Sequence, residues 1–115
     1  MSFWRKQVVQ PALDGDLRAA LAEQYEILQH DPGNPQAHFA LGTLHHLQGQ
    51  TEAAIESFLQ AIELDPAYAA PHVGLGRLCA VQGRYDEAWR HAEEAARLGD
   101  RSLIEQLQRY PNVTH

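Results

Sequence analysis

Seven histidines and a single cysteine, Cys79, are the residues of this 115-residue chain whose chemistry could extend beyond packing. Histidine can serve as a general acid or base or as a metal ligand, so the first question is whether the spacing lets any of them act together. His45 and His46 are adjacent and, on a helix, point about 100° apart, which is unsuited to holding one ion. His38 and His45 lie two turns apart, and no His-Glu-x-x-His arrangement is present. A site shared by His38 and His72 would need further ligands, and Cys79 is the one candidate nearby in sequence. Such a histidine metal site is the weakest reading of these residues. Interior histidines bonded to backbone or acidic partners are the expectation, with Cys79 as a small buried apolar residue that has no partner for an intrachain disulfide. No nucleophile elbow, phosphate loop or paired acidic motif is found. The sequence therefore predicts a protein that is not an enzyme, with no metal and no cofactor.

What positions these residues is a repeat. Leu41 and Leu75, Gly42 and Gly76, Gly49 and Gly83, Ala54 and Ala88, Ala61 and Ala95, and Leu64 and Leu98 each recur at an interval of 34 residues. His38 and His72, Leu44 and Leu78, and Gln48 and Gln82 keep the same interval. Small and apolar residues recurring at one fixed offset are what stacked helical units leave in a sequence. The expected fold is all-α, a short α-solenoid.

The first copy reads His38-x-x-Leu41-Gly42-x-x-His45, then Gly49, Ala54-x-x-x-Phe58, Ala61 and Asp65-Pro66. The second reads His72-x-x-Leu75-Gly76-x-x-Cys79, then Gly83, Tyr85, Ala88-x-x-x-Ala92, Ala95 and Leu98. This pattern resembles the tetratricopeptide repeat, which implies a short right-handed α-solenoid of antiparallel helix pairs. His38 and His72 stand in place of the family's large aromatic residue, His45 and Cys79 in place of its tyrosine, Ala92 in place of an aromatic, and Gly99-Asp100 in place of the closing Asp-Pro. One interval earlier, Trp4, Gly15, Ala20 and Asp31-Pro32 fit a degenerate leading repeat, although Gln7 and Val8 occupy its Leu-Gly positions. The expected organisation, all within one domain, is a degenerate unit at 1–34 and repeats at 35–68 and 69–102. A capping helix beginning near 100 and including 103–110 follows, and then a tail at 111–115.

Local signals place the helices. A brief helix over 3–10 should be stopped by Pro11, with a turn at Asp14-Gly15-Asp16. Leu17, Ala20, Leu21, Tyr25 and Leu28 then recur at helical spacing as an inward stripe. Asn34 is placed to cap a helix that begins with Pro35 and runs to about 48, where Gly49 ends it in a left-handed conformation. Its partner should cover Thr51–Leu64. The second pair should cover 68–82, with Pro71 tolerated in the first turn, and 85–98 after a stop at Gly83. In the last helix Leu103, Ile104 and Leu107 should face inward and shield the end of the stack. Gly42 and Gly76, mid-helix at a cost of about 1 kcal/mol against alanine, are expected where the partner helix, with Ala54 or Ala88 at the crossing, comes close.

Fifteen acidic against nine basic residues give a net charge of −6, with no dense basic run to neutralise phosphates, so nucleic acid is not an expected partner. No apolar run approaches the roughly 20 residues that span a bilayer, and the N-terminus lacks the apolar core of a signal peptide. No membrane partner is expected, and the expected compartment is the cytoplasm.

The resemblance implies a surface as the functional element. The sides of the first helices turned away from their partners would line a concave groove. In the first repeat these positions are Gln36, Phe39, Ala40, Thr43, His46 and Leu47. In the second they are Ala70, Val73, Gly74, Arg77, Ala80 and Val81. Family members that grip a C-terminal carboxylate use lysine, asparagine and arginine there. Ala40 and Gly74 stand where the asparagine or arginine would be, and Gln36 and Ala70 where the lysine would be. The implied role is a non-catalytic scaffold or adaptor that binds an apolar or amphipathic segment of a partner protein. The alternative is a homo-oligomer joined through the ends of the solenoid, at Trp4 or the 103–110 helix.

Overall fold

A computed structural model describes the backbone of residues 2–109 and the side chains from Gly15 to Arg109. Among these residues the secondary structure is helical throughout: α1 (Ser2–His30), α2 (Pro35–Leu47), α3 (Thr51–Leu64), α4 (Ala70–Val81), α5 (Tyr85–Arg97) and α6 (Ser102–Gln108). Consecutive helices pack on one another, and the most extensive contacts join α2 to α3 and α4 to α5. The pairs stack side by side into the expected α-solenoid.

The turns follow from particular residues. Asn34 accepts a hydrogen bond from the Ala37 N–H through Oδ1 at 3.1 Å, and Pro35 follows as the first helical residue. Pro71 lies in the first turn of α4, where an absent N–H has no intrahelical acceptor to lose. Gly49 and Gly83 both adopt φ +77°, as expected of left-handed caps, and the next N–H closes each turn. Gln50 N–H donates to the His45 carbonyl at 2.9 Å and Arg84 N–H to the Cys79 carbonyl at 2.8 Å. Gly99, at φ +109°, repeats the device before α6, with Asp100 N–H donating to the Ala95 carbonyl.

Two expectations for the first 30 residues are corrected. Pro11 and Gly15 do not interrupt the chain, and α1 is one helix of 29 residues. Proline costs about 3 kcal/mol in a helix interior and glycine about 1, penalties that a long helix can absorb. Tyr25 is 49% exposed rather than part of the inward stripe. Leu17, Ala20, Leu21 and Leu28 are half-buried as expected of the stripe, and Gln24 and Ile27 join them.

The core forms two clusters. Ala54 and Phe58 of α3 meet Leu75 and Leu78 of α4, with Phe39, Ile55 and Ile62 against them. Val73 and Cys79 of α4 meet Ala88, Trp89, Ala92 and Ala95 of α5 and Leu103 and Leu107 of α6. The inward direction of Leu103, Ile104 and Leu107 agrees with the sequence pattern.

The reason for Gly42 differs from the expected one. A Cβ there would stand 2.5 Å from the Phe58 ring, so an aromatic side chain, not the backbone of the partner helix, claims the space. At Gly76 the added atom would overlap Leu103 and lie 3.3 Å from the Ala88 carbonyl oxygen. Close approach of the partner helix therefore holds in the second pair.

Candidate partner-binding groove

The helices α2, α4 and α6 present one continuous face. Two clefts lie along it. The first, of about 300 Å³, is lined by Phe39, Thr43 and His46 of α2, Phe58 of α3, Ala70, Val73, Gly74 and Arg77 of α4, and Asp100 and Ser102. The second, of about 360 Å³, is lined by His46, Arg77, Ala80, Val81, Tyr85, Leu103, Gln106 and Leu107. His46 and Arg77 belong to both, so an exposed imidazole and an exposed guanidinium stand between two mainly apolar basins.

Nine of the twelve sequence-predicted positions therefore come together, but not all as free surface. Val73 is only 7% exposed, because α6 closes over it, and it belongs to the core rather than to a binding face. Phe39 is half-buried, its ring 5.7 Å from that of Phe58 and 5.6 Å, edge-on, from that of Tyr68. Thr43 returns its hydroxyl to the Phe39 carbonyl at 3.3 Å. Gln36, Ala40 and Leu47 line neither cleft, and Leu47 is nonetheless 63% exposed.

The sequence reading missed Asp100, Ser102, Leu103, Gln106 and Leu107, which form the third wall. The same interval carried one step further from Val73 reaches Leu107, and from Ala70 it reaches Ile104. The signal was therefore present. The Asp100 carboxylate accepts from the Ser102 N–H at 2.9 Å. Hydrogen bonds from the Ser102 side chain and backbone, aided by the positive charge of Arg77, hold that carboxyl below its usual range. Asp100 is thus anionic at neutral pH, and the groove carries one anion opposite its cation.

The histidines divide. His38 Nε2 lies 3.2 Å from the Pro32 carbonyl, the expected kind of backbone partner. His72 instead pairs with His91, Nδ1 to Nδ1 at 3.3 Å, a partner that is neither backbone nor acid. His45 Nδ1 is buried without a hydrogen-bond partner. Cys79 is buried as expected, with Sγ 3.8 Å from Glu87 Oε2, and burial followed by that carboxylate pushes the thiol up. Glu87 is itself held by both oxygens to Arg84, at 2.5 and 2.6 Å. Among the described residues no three His, Cys, Asp or Glu side chains are grouped to hold a metal ion, and no helix is long and apolar enough to cross a membrane.

Comparison with known families adds two matches. Residues 12–58 match a model described as "Tetratricopeptide repeat" and residues 44–83 match one described as "TPR repeat", so the two together run from 12 to 83. No curated protein sequence matches the chain.

Proposed function

Since the chain belongs to the tetratricopeptide-repeat family, whose repeats generally act as protein–protein interaction modules, we propose that its concave face binds an amphipathic segment of a partner protein. The observation that carries this reading is the pair of adjoining clefts on α2, α4 and α6 that share Arg77 and His46. Two apolar basins suit apolar side chains on one face of a bound segment, and the polar saddle between them fixes its register. Such a ligand gains from the apolar area it covers, whereas a purely acidic tail would meet a single guanidinium already facing Asp100. In this role the protein is a scaffold or adaptor rather than a catalyst, in keeping with a family that is typically non-catalytic.

Self-association through the end of the solenoid has less to draw on. Leu103 and Leu107 of α6 are 1% and 4% exposed and already spent inside, which leaves Ile104, half-buried, as the other large apolar residue of that helix. The Trp4 side chain lies outside the described residues. Light scattering at rising protein concentration tests this alternative directly, and a mass that grows with concentration favours it.

The groove reading is tested with peptides selected for binding from a random library. Arg77 and Val81 are exposed, so Arg77→Glu with Val81→Glu changes the saddle and the second basin without reaching the core. The double variant should keep its helical circular dichroism and melting temperature yet lose at least about tenfold in affinity, the loss of ~1.4 kcal/mol. Leu47→Glu, on an exposed residue outside both clefts, should bind as the parent does. Undiminished binding to a folded double variant sinks the assignment.

A further inference from the structure

His72 and His91 face each other across the α4–α5 crossing with Nδ1 atoms 3.3 Å apart and ring centroids 5.6 Å apart. An imidazole nitrogen at that distance from another can be bridged by one proton and no more. In the neutral pair one Nδ1–H donates to the lone pair of the other. A first added proton goes to the free Nε2 of the donor ring and leaves the bridge intact as imidazolium to imidazole. A second has to place N–H on both facing atoms and a positive charge on both rings.

We propose that the His72–His91 pair is a proton-operated latch between α4 and α5, closed while the two rings share the bridging hydrogen and opened when both become imidazolium. The inference stands apart from the groove reading, since it concerns how the second helix pair holds together.

The surroundings give no escape from the second charge. Both rings are part-buried, and burial, ahead of any neighbouring charge, pushes both below the ordinary histidine value of 6.5. Glu94 of α5 favours a charged His72, but Arg97 opposes it and occupies both carboxylate oxygens of Glu94. For His91, the charge of His72 disfavours protonation, and Glu87 favours it while Arg90 opposes it. Glu87 in turn is committed to Arg84. The other elements packed on α4 and α5 bring Glu52, Glu56 and Glu63 of α3 and Glu105 of α6, all solvent-exposed, while Asp100 is turned to Ser102 and Arg77. On α2, His38 is bonded to Pro32, and His46 lines the groove beside Arg77.

The sign follows from linkage. Bases held below their unfolded value bind fewer protons when folded, so the stabilisation is whole above about pH 6.5 and declines as the pH falls through it. A protonation that folding blocks lowers the folding constant by up to about tenfold between pH 7.5 and 5.5, the limit set by one pH unit below the unfolded value. Denaturant melts of the parent, His72→Gln and His91→Gln over that range should show the larger fall in the parent and a clearly smaller one in both variants, because glutamine cannot charge and the ring that remains has only its own burial to oppose its proton. Histidine ring NMR on the parent supplies a second readout that needs no variant. The two rings should titrate as a coupled pair, with the second step displaced to low pH and accompanied by opening of α4–α5 amides to exchange. Equal pH dependence in all three proteins overturns the latch, as do two independent titrations near 6.5. Should the glutamine variants fail to fold, the ring titration alone decides.

Discussion

The two helix pairs are built on the same backbone plan but filled from different places. In the pair α2/α3, the hollow over Gly42 is occupied by Phe58, which comes from α3 itself and also lies against Gly74, where a Cβ would stand 2.7 Å from its ring. One interval later the corresponding residue is Ala92, wholly buried and too small to reach, and the hollow over Gly76 is occupied by Leu103 of α6. The first pair therefore carries its own filling, whereas the second borrows one from the next helix. A repeat can lose its aromatic residue provided a neighbour supplies equivalent volume, since a packed interior must be filled by something. α6 begins at Ser102, three residues after Gly99, which brings Leu103 within reach of the gap.

The largest effect should come from the side chain that serves most helices. Phe58 is 3% exposed and touches α2, α3 and α4, so Phe58→Ala should cost about 3–5 kcal/mol. That is a large share of the ~5–15 kcal/mol typical of a domain, and denaturant titration measures it. A loss below about 1 kcal/mol would mean that the ring is not the keystone of the first pair, and the comparison would break there.

Leu103→Ala probes the borrowed filling and should cost about 2–5 kcal/mol. The loss should be local: amides of α4 and α5 should exchange faster in native-state hydrogen exchange while those of α2 and α3 change less. Adding Ala92→Phe to Leu103→Ala restores an aromatic at the position equivalent to Phe58. It should recover about 1 kcal/mol or more if the two fillings are interchangeable. No recovery would show that Leu103 is held for another purpose.

How far the sequence alone reaches is visible in the same residues. The limits of α3 and the caps at Asn34, Gly49 and Gly83 were legible because each depends on residues a turn away. The continuity of α1 was not, because Pro11 and Gly15 carry finite local costs that say nothing of what outweighs them. In the groove, the positions on α2 and α4 were legible from helical spacing. What was hidden is which of them are already taken: Phe39 by Tyr68 and Phe58, and Val73 by α6. Those contacts depend on where the last short helix and the 65–69 turn settle, which no periodicity within a repeat encodes. The His72–His91 pair was hidden for the same reason, as its members sit 19 residues apart on different helices.

The smallest expected effect tests where the two pairs should be alike. Gly49 and Gly83 share φ +77° and have open space around the position of a Cβ, so an added methyl meets no neighbour and only the backbone conformation opposes it. A left-handed residue with a side chain costs about 1–2 kcal/mol. Gly49→Ala and Gly83→Ala should therefore each lower stability by about 1 kcal/mol and agree within ~0.5 kcal/mol of one another, because local geometry sets the cost and the differing core fillings do not enter. Denaturant titration of the two variants under one condition checks this. Unequal losses would mean that the borrowed Leu103 contact extends its influence to the α4–α5 turn, and that the two repeats differ in more than what fills the hollow over the glycine.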